Sequence, residues 1–235
     1  MRQLLVLALA VAAWAQGPVF EVASVRLAEA GVKGMNIRRD PAGGISAWNV
    51  NLRTLIVLAY NIQDFQLSGG PRWMAAQRYD VIAKAPAGVQ KSDTWPMLRA
   101  LLAERFHLVV HRETRESAVY ELSVAKGGLK IHPATRLQGE ADDWCRQGSG
   151  HLQCYMMPMA NLALTLSGTL KRRVVDRTGV EGKFDLVLDW APDNAAGDGP
   201  SIFTAIQELL GLRLEAAKGP VEMVVVDGAE KAEGN

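Results

Sequence analysis

The sequence predicts an α+β protein built from two related units, each in the order helix, strand, strand, helix, strand, strand, with helices packed on mainly antiparallel sheets. Short stretches such as "FEVASVRL" alternate apolar and polar residues, which is typical of half-buried strands. Stretches such as "NLRTLIVLAY" carry apolar residues three and four positions apart, which is typical of helices with one buried face. This order of elements recurs along the chain and favours an internal duplication. The alternative, one continuous α+β sheet without duplication, predicts the same class.

The first half of the chain begins with strands. Phe20–Leu27 alternates as a strand does, and Met35–Trp48 predicts a hairpin around Asp-Pro-Ala-Gly-Gly, because Pro and Gly favour turns. Asn51 is expected to cap a helix. That helix would bury Leu52, Leu55, Ile56 and Ala59. The later predicted elements are a strand near Phe65–Ser68, a strand at Tyr79–Ala83, a helix at Pro96–Arg105, and strands at Phe106–Arg112 and Val119–Val124 around a tight turn.

The second half repeats that order. "GHLQCYMM" stands where "GISAWNV" stood, and "YDVIA" and "FDLVLDW" both start with an aromatic residue followed by Asp. A second tight turn is expected at Gly-Pro inside "LRLEAAKGPVEMVVVD". The other predicted elements are a helix at Asn161–Leu170, strands at Arg173–Asp176 and Phe184–Trp190, and a helix capped by Ser201 that runs through Leu210.

Changes in composition predict the domain boundaries. The first unit is expected at residues 16–130 and the second at residues 144–227. Residues 131–143 are polar and interrupted by Gly and Pro, which is typical of a linker or long loop. Residues 228–235 are small and polar, and we expect a flexible tail there.

Residues 1–15, "MRQLLVLALAVAAWA", predict a secretory signal peptide. Arg2 supplies the positive start, an apolar run follows, and Ala13-Trp14-Ala15 is a small-x-small cleavage site. The alternative, a transmembrane anchor, needs about 20 apolar residues, and this run is shorter. Cleavage after Ala15 would leave a secreted or periplasmic protein that starts at Gln16 and has no membrane span.

The charge of the mature chain is balanced. The full sequence has 26 Lys and Arg and 25 Asp and Glu, so removal of Arg2 leaves 25 of each sign. A balanced chain gives no electrostatic reason to expect nucleic acid or an anionic membrane as partner. The hydrophobic content of 49% indicates packed cores rather than disorder.

The two cysteines, Cys145 and Cys154, lie in "WCRQGSGHLQCY". If Ser149 and Gly150 are the central residues of a hairpin turn, the two cysteines face each other at a non-hydrogen-bonded position, within reach of a disulfide. A metal site is the alternative, but only His151 is nearby, so the ligand set is incomplete. An oxidising compartment favours the disulfide.

The histidines of "HLVVH" resemble a metal-binding pair. On a helix His107 and His111 would converge, but the Val-rich segment predicts a strand, where their rings would lie roughly 13 Å apart. Asp185 and Asp189 fail as a carboxylate pair for the same reason. The sequence also lacks a Gly-x-Ser-x-Gly nucleophile motif and a Gly-Lys-Ser/Thr phosphate loop. We therefore predict no catalytic residues, no metal and no cofactor.

Two segments are candidates for recognition. Asp176, Arg177 and Thr178 precede Gly179 between two strands, where they form either a projecting recognition loop or, as we favour, a turn whose Asp binds nearby backbone. Trp73 in "SGGPRWM" is either an exposed aromatic anchor or a cover over the core, and the sequence does not decide between the two.

Several stretches together resemble a known family. They include "FEVASVR", "FQLSGGPRWM", "YDVIAKA", "LLAERFHLVVHRET" and "VVDRTGVEGKFDLVLDWAPD". In this order they look like the soil-associated family of exported proteins of unknown function, which is expanded in acidobacteria. The resemblance implies no catalytic residues. A weaker, fold-level resemblance is to the short N-terminal modules of secretins and TonB-dependent receptors, which implies partner binding.

The sequence favours a non-enzymatic binding or interaction module of the cell envelope, with an envelope protein or ligand as partner. Exposed sheet edges would allow a partner strand to pair with it. The alternative is a secreted hydrolase with a site between the two halves, which would use His107 or His111 with Asp176. A purely structural or stress-related exported protein is the third hypothesis.

Overall fold

A computed structural model describes residues 18–134, 144–192 and 199–233. The predicted signal peptide and most of the predicted linker lie outside these residues. The described chain divides into two compact units. Unit 1 comprises residues 18–62, 69–111 and 225–233, and unit 2 comprises residues 63–68, 112–134, 144–192 and 199–224.

The predicted α+β class is confirmed. The strands are β1 (Val22–Leu27), β2 (Asn36–Arg39), β3 (Ile45–Asn51), β4 (Leu67–Gly69), β5 (Arg78–Lys84), β6 (Val109–Val124), β7 (Trp144–Gly148), β8 (His151–Pro158), β9 (Val174–Asp176), β10 (Lys183–Asp189) and β11 (Leu212–Gly228). The α-helices are α1 (Leu52–Tyr60), α2 (Trp73–Ala76), α3 (Thr94–Phe106), α4 (Met159–Leu170) and α5 (Ile202–Ala205), and a π-helix at Ile206–Leu210 continues α5.

Unit 1 contains an antiparallel sheet in the order β1-β5-β3-β2. The predicted hairpin is confirmed as β2 and β3, and Asp40 in its turn accepts hydrogen bonds from the Ala42 and Gly44 amides. The predicted cap of α1 is also confirmed, since Asn51 Oδ1 accepts a hydrogen bond from the Thr54 amide at 2.8 Å. The helix buries the four predicted residues, Leu52, Leu55, Ile56 and Ala59.

Unit 2 contains an antiparallel sheet in the order β10-β8-β7 and a parallel pairing of β6 with β9. Its core joins the inner faces of β8 and β10 to α4 and to the helix that starts at Ile202. The predicted cap of that helix is confirmed, because Ser201 Oγ accepts a hydrogen bond from the Thr204 amide at 3.1 Å. The buried residues of this core include Leu152, Met159, Leu162, Leu166, Phe184, Leu186, Leu188 and Ile206.

The same local irregularity occurs in both units. In unit 1 the register of β3 with β5 shifts near Asn49, which has a φ of 53° and donates its amide hydrogen to Asp80 Oδ1 at 2.8 Å. In unit 2 the register of β8 with β10 shifts near Met156, which has a φ of 56° and donates to Asp185 Oδ1 at 2.9 Å. Each bulge frees a backbone amide, and each aspartate satisfies it. This role explains why β5 and β10 share an aromatic residue followed by Asp near their starts.

The tight turns predicted between Arg112 and Val119 and at Gly219-Pro220 are wrong. β6 runs without interruption from Val109 to Val124, where the sequence offers charge but no Gly or Pro to break a strand. β11 continues through Gly219 and Pro220. In its sheet β11 lies between β4 and β6, and proline is tolerated in a strand at a position where no neighbour needs its N–H. The strand predicted near Phe65 is also corrected, because Phe65 lies in a 3₁₀ turn and β4 starts at Leu67.

The last described residues contact the core of unit 1. The amide of Glu230 donates to the carbonyl of Phe106 at 2.7 Å, and Glu230 Oε2 lies 3.2 Å from His107 Nδ1. Tyr79 is fully buried and meets the ring of Phe106 edge-on at 5.0 Å. Burial raises the pKa of the Tyr79 hydroxyl, and the nearby backbone of Ala232 partly offsets the rise.

Candidate functional site

A pocket of about 490 Å³ lies in unit 2, within the size range of small-molecule sites. It is formed by β6, the β7–β8 turn, the end of α4, the segment after β10, and α5. We call it the aromatic pocket. Its side chains with rings or polar groups include Tyr120, Gln147, Thr169, Lys171, Trp190 and Phe203.

Two rings form one wall of the aromatic pocket. Tyr120 of β6 and Phe203 of α5 meet edge-to-face, with their centroids 5.3 Å apart and their planes at 67°. The Arg172 guanidinium lies 4.8 Å from the centre of the Tyr120 ring, and this cation–π contact restricts the ring further. Phe203 remains 39% exposed, although a large apolar side chain gains free energy when it is covered. The wall therefore presents apolar surface that a ligand would bury.

The turn of a disulfide-bonded hairpin forms another part of the pocket lining. The predicted disulfide between Cys145 and Cys154 is confirmed, with Cα atoms 4.2 Å apart and the two residues directly opposite in the β7–β8 ladder. Gly148 faces His151, so the turn is centred on Ser149 and Gly150 as predicted. The disulfide fixes the register of the strands that carry this turn into the pocket.

The turn is held against the segment that follows β10. The Trp190 amide donates to the carbonyl of Gly150 at 2.9 Å. Gly150 has a φ of +75°, and a Cβ at this position would lie 2.4 Å from the Trp190 carbonyl oxygen. Only glycine fits such a close approach at positive φ. The position of Trp190 in the pocket therefore depends on this glycine.

The end of α4 completes the polar part of the lining. Gln147 of the hairpin donates through Nε2 to Thr169 Oγ1 at 2.9 Å. Lys171 ends the helix in a left-handed conformation with a φ of 52°, and its backbone amide donates to the Ser167 carbonyl. The pocket thus combines an apolar ring wall with neutral hydrogen-bonding groups and one cation.

A larger pocket of about 720 Å³ lies in unit 1, but its lining differs in kind. The loop at residues 28–35 forms one side, and the start of α1 and the end of α2 form the other. None of its described lining residues is aromatic, and several are Ala or Gly. Aromatic side chains contribute most to the affinity of binding sites, so we favour the smaller pocket of unit 2.

The residues of the predicted recognition loop form a hydrogen-bonded turn, and their role in recognition stays a prediction. Asp176 Oδ1 accepts hydrogen bonds from the amide and the hydroxyl of Thr178, at 2.9 and 2.7 Å. Arg177 is exposed, and its Nε lies 3.3 Å from Glu121 Oε1. The three residues therefore form one turn in unit 2. None of them lines the aromatic pocket, although Asp176 lines a smaller pocket of about 330 Å³ beside α4.

Trp73, the fourth predicted recognition residue, lies in unit 1 at the start of the short helix α2. Its side chain is half-buried, and its carbonyl accepts a hydrogen bond from the Gln77 amide at 2.8 Å. The next residue, Met74, is the buried residue of this helix. The structure therefore gives Trp73 neither the full exposure of an anchor nor the burial of a core residue.

The histidines named in the sequence pair with separate carboxylates. His107 is the left-handed cap of α3 rather than a strand residue, and it pairs with Glu230. His111 Nδ1 lies 2.9 Å from both oxygens of Asp227. In the described parts of the chain, no three His, Cys, Asp or Glu residues form a group able to hold a metal ion.

The aromatic pocket was not found from the sequence, because its residues come from distant segments. Tyr120 lies in β6, and several helices and strands separate it from Trp190 and Phe203 in the chain. One signal was present: Phe203 is a large apolar residue next to the buried Ile202, on the outward face of the helix that Ser201 caps. Such an exposed ring indicates a surface that another molecule covers.

A family comparison matches residues 53–229, from α1 to the end of β11. The match is to DUF3738, a protein of unknown function. The chain belongs to the DUF3738 family. This confirms the resemblance to a family of unknown function, while the soil association and the secretin likeness stay predictions.

The DUF3738 match covers every residue that forms the aromatic pocket. In comparisons with curated proteins and with solved structures, nothing matches the chain. No helix within residues 18–134, 144–192 and 199–233 is long and apolar enough to cross a membrane.

Proposed function

We propose that this DUF3738 protein is an exported, non-enzymatic binding module of the cell envelope, and that its aromatic pocket binds a small ligand. The observation that carries the proposal is the exposed Tyr120–Phe203 wall inside a pocket of about 490 Å³. Ligand sites are concave, mostly apolar and edged by a few placed polar groups. Gln147, Thr169 and Lys171 supply such groups at this pocket.

The pairing of the histidines favours binding over catalysis. The hydrolase hypothesis uses His107 or His111 with Asp176. These residues interact with Glu230, Asp227 and Thr178, respectively. The two His–carboxylate pairs are also largely exposed. Exposed pairs of this kind lack the enclosed, water-excluding surroundings of most active sites.

The disulfide supports the proposed export. A Cys145–Cys154 bond persists in an oxidising compartment and is rare in the cytosol. We expect the protein isolated from its producing cells to begin at Gln16, as N-terminal sequencing would show. Full-length protein with reduced cysteines would contradict export.

A fragment screen tests the proposed binding function. Oxidised, ¹⁵N-labelled protein is titrated with a set of ring-containing fragments, and the indole signal of Trp190 and the amides of Gly148–His151 are followed. We expect binders to shift these signals. Phe203→Ala should weaken binding about tenfold, because an aromatic contact contributes about 1 kcal/mol beyond its buried area.

Leu209→Ala is the matched control for Phe203→Ala. Leu209 lies on the π-helix that continues α5 and is 47% exposed, compared with 39% for Phe203, but it does not line the aromatic pocket. We expect Leu209→Ala to bind fragments like the wild type. Fragments that shift other signals only, or that bind Phe203→Ala unchanged, would contradict the proposed function.

A further inference from the structure

The charge of the aromatic pocket indicates what kind of ligand it accepts. Lys171 is the only charged side chain among the described residues that line it. Arg172 follows directly, and its guanidinium lies 4.8 Å from the centre of the Tyr120 ring. Two cations therefore stand at the end of α4, one of them in the described lining of the pocket.

The positive charge is adjacent to an apolar wall. Tyr120 and Phe203 present ring surface, and Ile202 and Pro192 extend the apolar lining. An anion without an apolar part would leave this surface in water, and a neutral ring would not use the cation. A ligand that carries both an aromatic ring and a carboxylate satisfies both sides of the pocket.

We propose that the aromatic pocket binds aromatic carboxylates, with the ring against Tyr120 and Phe203 and the carboxylate at Lys171. This ligand class rests on the proposed function of the same pocket. The carbonyl end of α4 carries a partial negative charge, which opposes an anion. The full charges of Lys171 and of the neighbouring Arg172 outweigh about half an elementary charge at a helix end.

Benzoate and benzamide form the test pair, because they share a ring and a size and differ in charge. Each is titrated by ¹⁵N NMR into the oxidised wild-type protein and into Lys171→Gln and Lys171→Arg. We expect the wild type and Lys171→Arg to bind benzoate about five- to tenfold tighter than benzamide, since a charge-assisted hydrogen bond is roughly twice as strong as a neutral one. Lys171→Gln should reduce this preference to less than about twofold.

The two variants share the backbone strain at residue 171, since both place a side chain at a positive φ, as Lys171 does. They therefore separate the charge from the conformation. Equal binding of benzoate and benzamide to the wild type, or an unchanged preference in Lys171→Gln, would overturn the ligand class. If both compounds bind at Trp190 equally, the proposed binding function stands and only the ligand class fails. If no ring-containing fragment binds there, the binding function itself fails.

The same chemistry exists in free aromatic acids and at the end of a peptide whose last residue is aromatic. Acetyl-Gly-Phe with a free carboxylate and its C-terminal amide distinguish these sources. Tighter binding of the free-acid peptide than of benzoate would identify a peptide end as the ligand, and the reverse would identify a small acid. Either result supports the proposal only if the free acid of that ligand binds tighter than its amide. Equal binding of the peptide acid and amide, together with equal binding of benzoate and benzamide, overturns it.

Discussion

Reduction of the Cys145–Cys154 disulfide should destabilise unit 2 by a measurable amount. The two cysteines are nine residues apart in the chain. A bond that closes such a loop lowers the entropy of the unfolded chain, and the loop-entropy relation gives about 2.6 kcal/mol at 25 °C. With a urea dependence of about 2 kcal/mol per molar, the unfolding midpoint should fall by about 1.3 M. The hairpin turn that lines the aromatic pocket should lose order with it.

The comparison uses the wild-type protein with and without a reductant, so that no side chain changes. Unfolding in urea is followed by the NMR amides of β7 and β8, which report on unit 2 directly. A Cys145→Ser/Cys154→Ala variant treated with the same reductant shows whether the reductant itself has an effect. Equal midpoints for the oxidised and reduced proteins would refute the view that the disulfide holds this hairpin.

Three further substitutions test other parts of the structure. Gly150→Ala should destabilise unit 2 by about 1–3 kcal/mol in urea unfolding, because the new Cβ would collide with the Trp190 carbonyl at a positive φ. A Cβ at Gly148 would meet nothing within 4 Å, so the control Gly148→Ala should change stability less, and equal losses would contradict this reasoning. Asp80→Ala and Asp185→Ala should each lower the free energy of unfolding by about 1.5–3 kcal/mol, because each loses a charge-assisted hydrogen bond to a bulge amide. The corresponding Asn variants should lose less, and an unchanged urea midpoint in the Ala variants would count against the shared role of the two aspartates. Tyr79 holds its proton more strongly in the folded protein than in the unfolded chain, so its contribution to stability is complete below the ordinary tyrosine pKa of about 10 and is lost as the pH rises through the raised pKa. In alkaline urea titrations Tyr79→Phe should therefore lose less stability than the wild type, and parallel pH profiles for the two proteins would disprove this.

Features that depend on neighbouring residues could be predicted from the sequence. The cap at Asn51, the buried face of α1 and the Cys145–Cys154 pairing all follow from spacing within about ten residues, and the structure confirms them. The recurring aromatic-Asp pair was visible as a pattern. Its role in satisfying the amides of Asn49 and Met156 became visible only with the strand register.

Features that depend on distant contacts could not be predicted. Whether β11 breaks at Gly219-Pro220 is decided by the strands on its two sides, β4 and β6, and no local signal carries that information. The aromatic pocket depends on Tyr120, Trp190 and Phe203 meeting in unit 2. Aromatic residues in strands and helices are more often core residues, so no sequence pattern groups these three.

A crystal structure of the oxidised protein soaked with benzoate tests the central claim, that the aromatic pocket is a ligand site, most directly. We expect density for the ring between Tyr120 and Phe203 and for the carboxylate beside Lys171 Nζ, with the β7–β8 turn unchanged. A Phe203→Ala crystal under the same soak should lose that density. Benzoate bound only elsewhere, or a pocket filled by the side chains of the protein itself, would contradict the account.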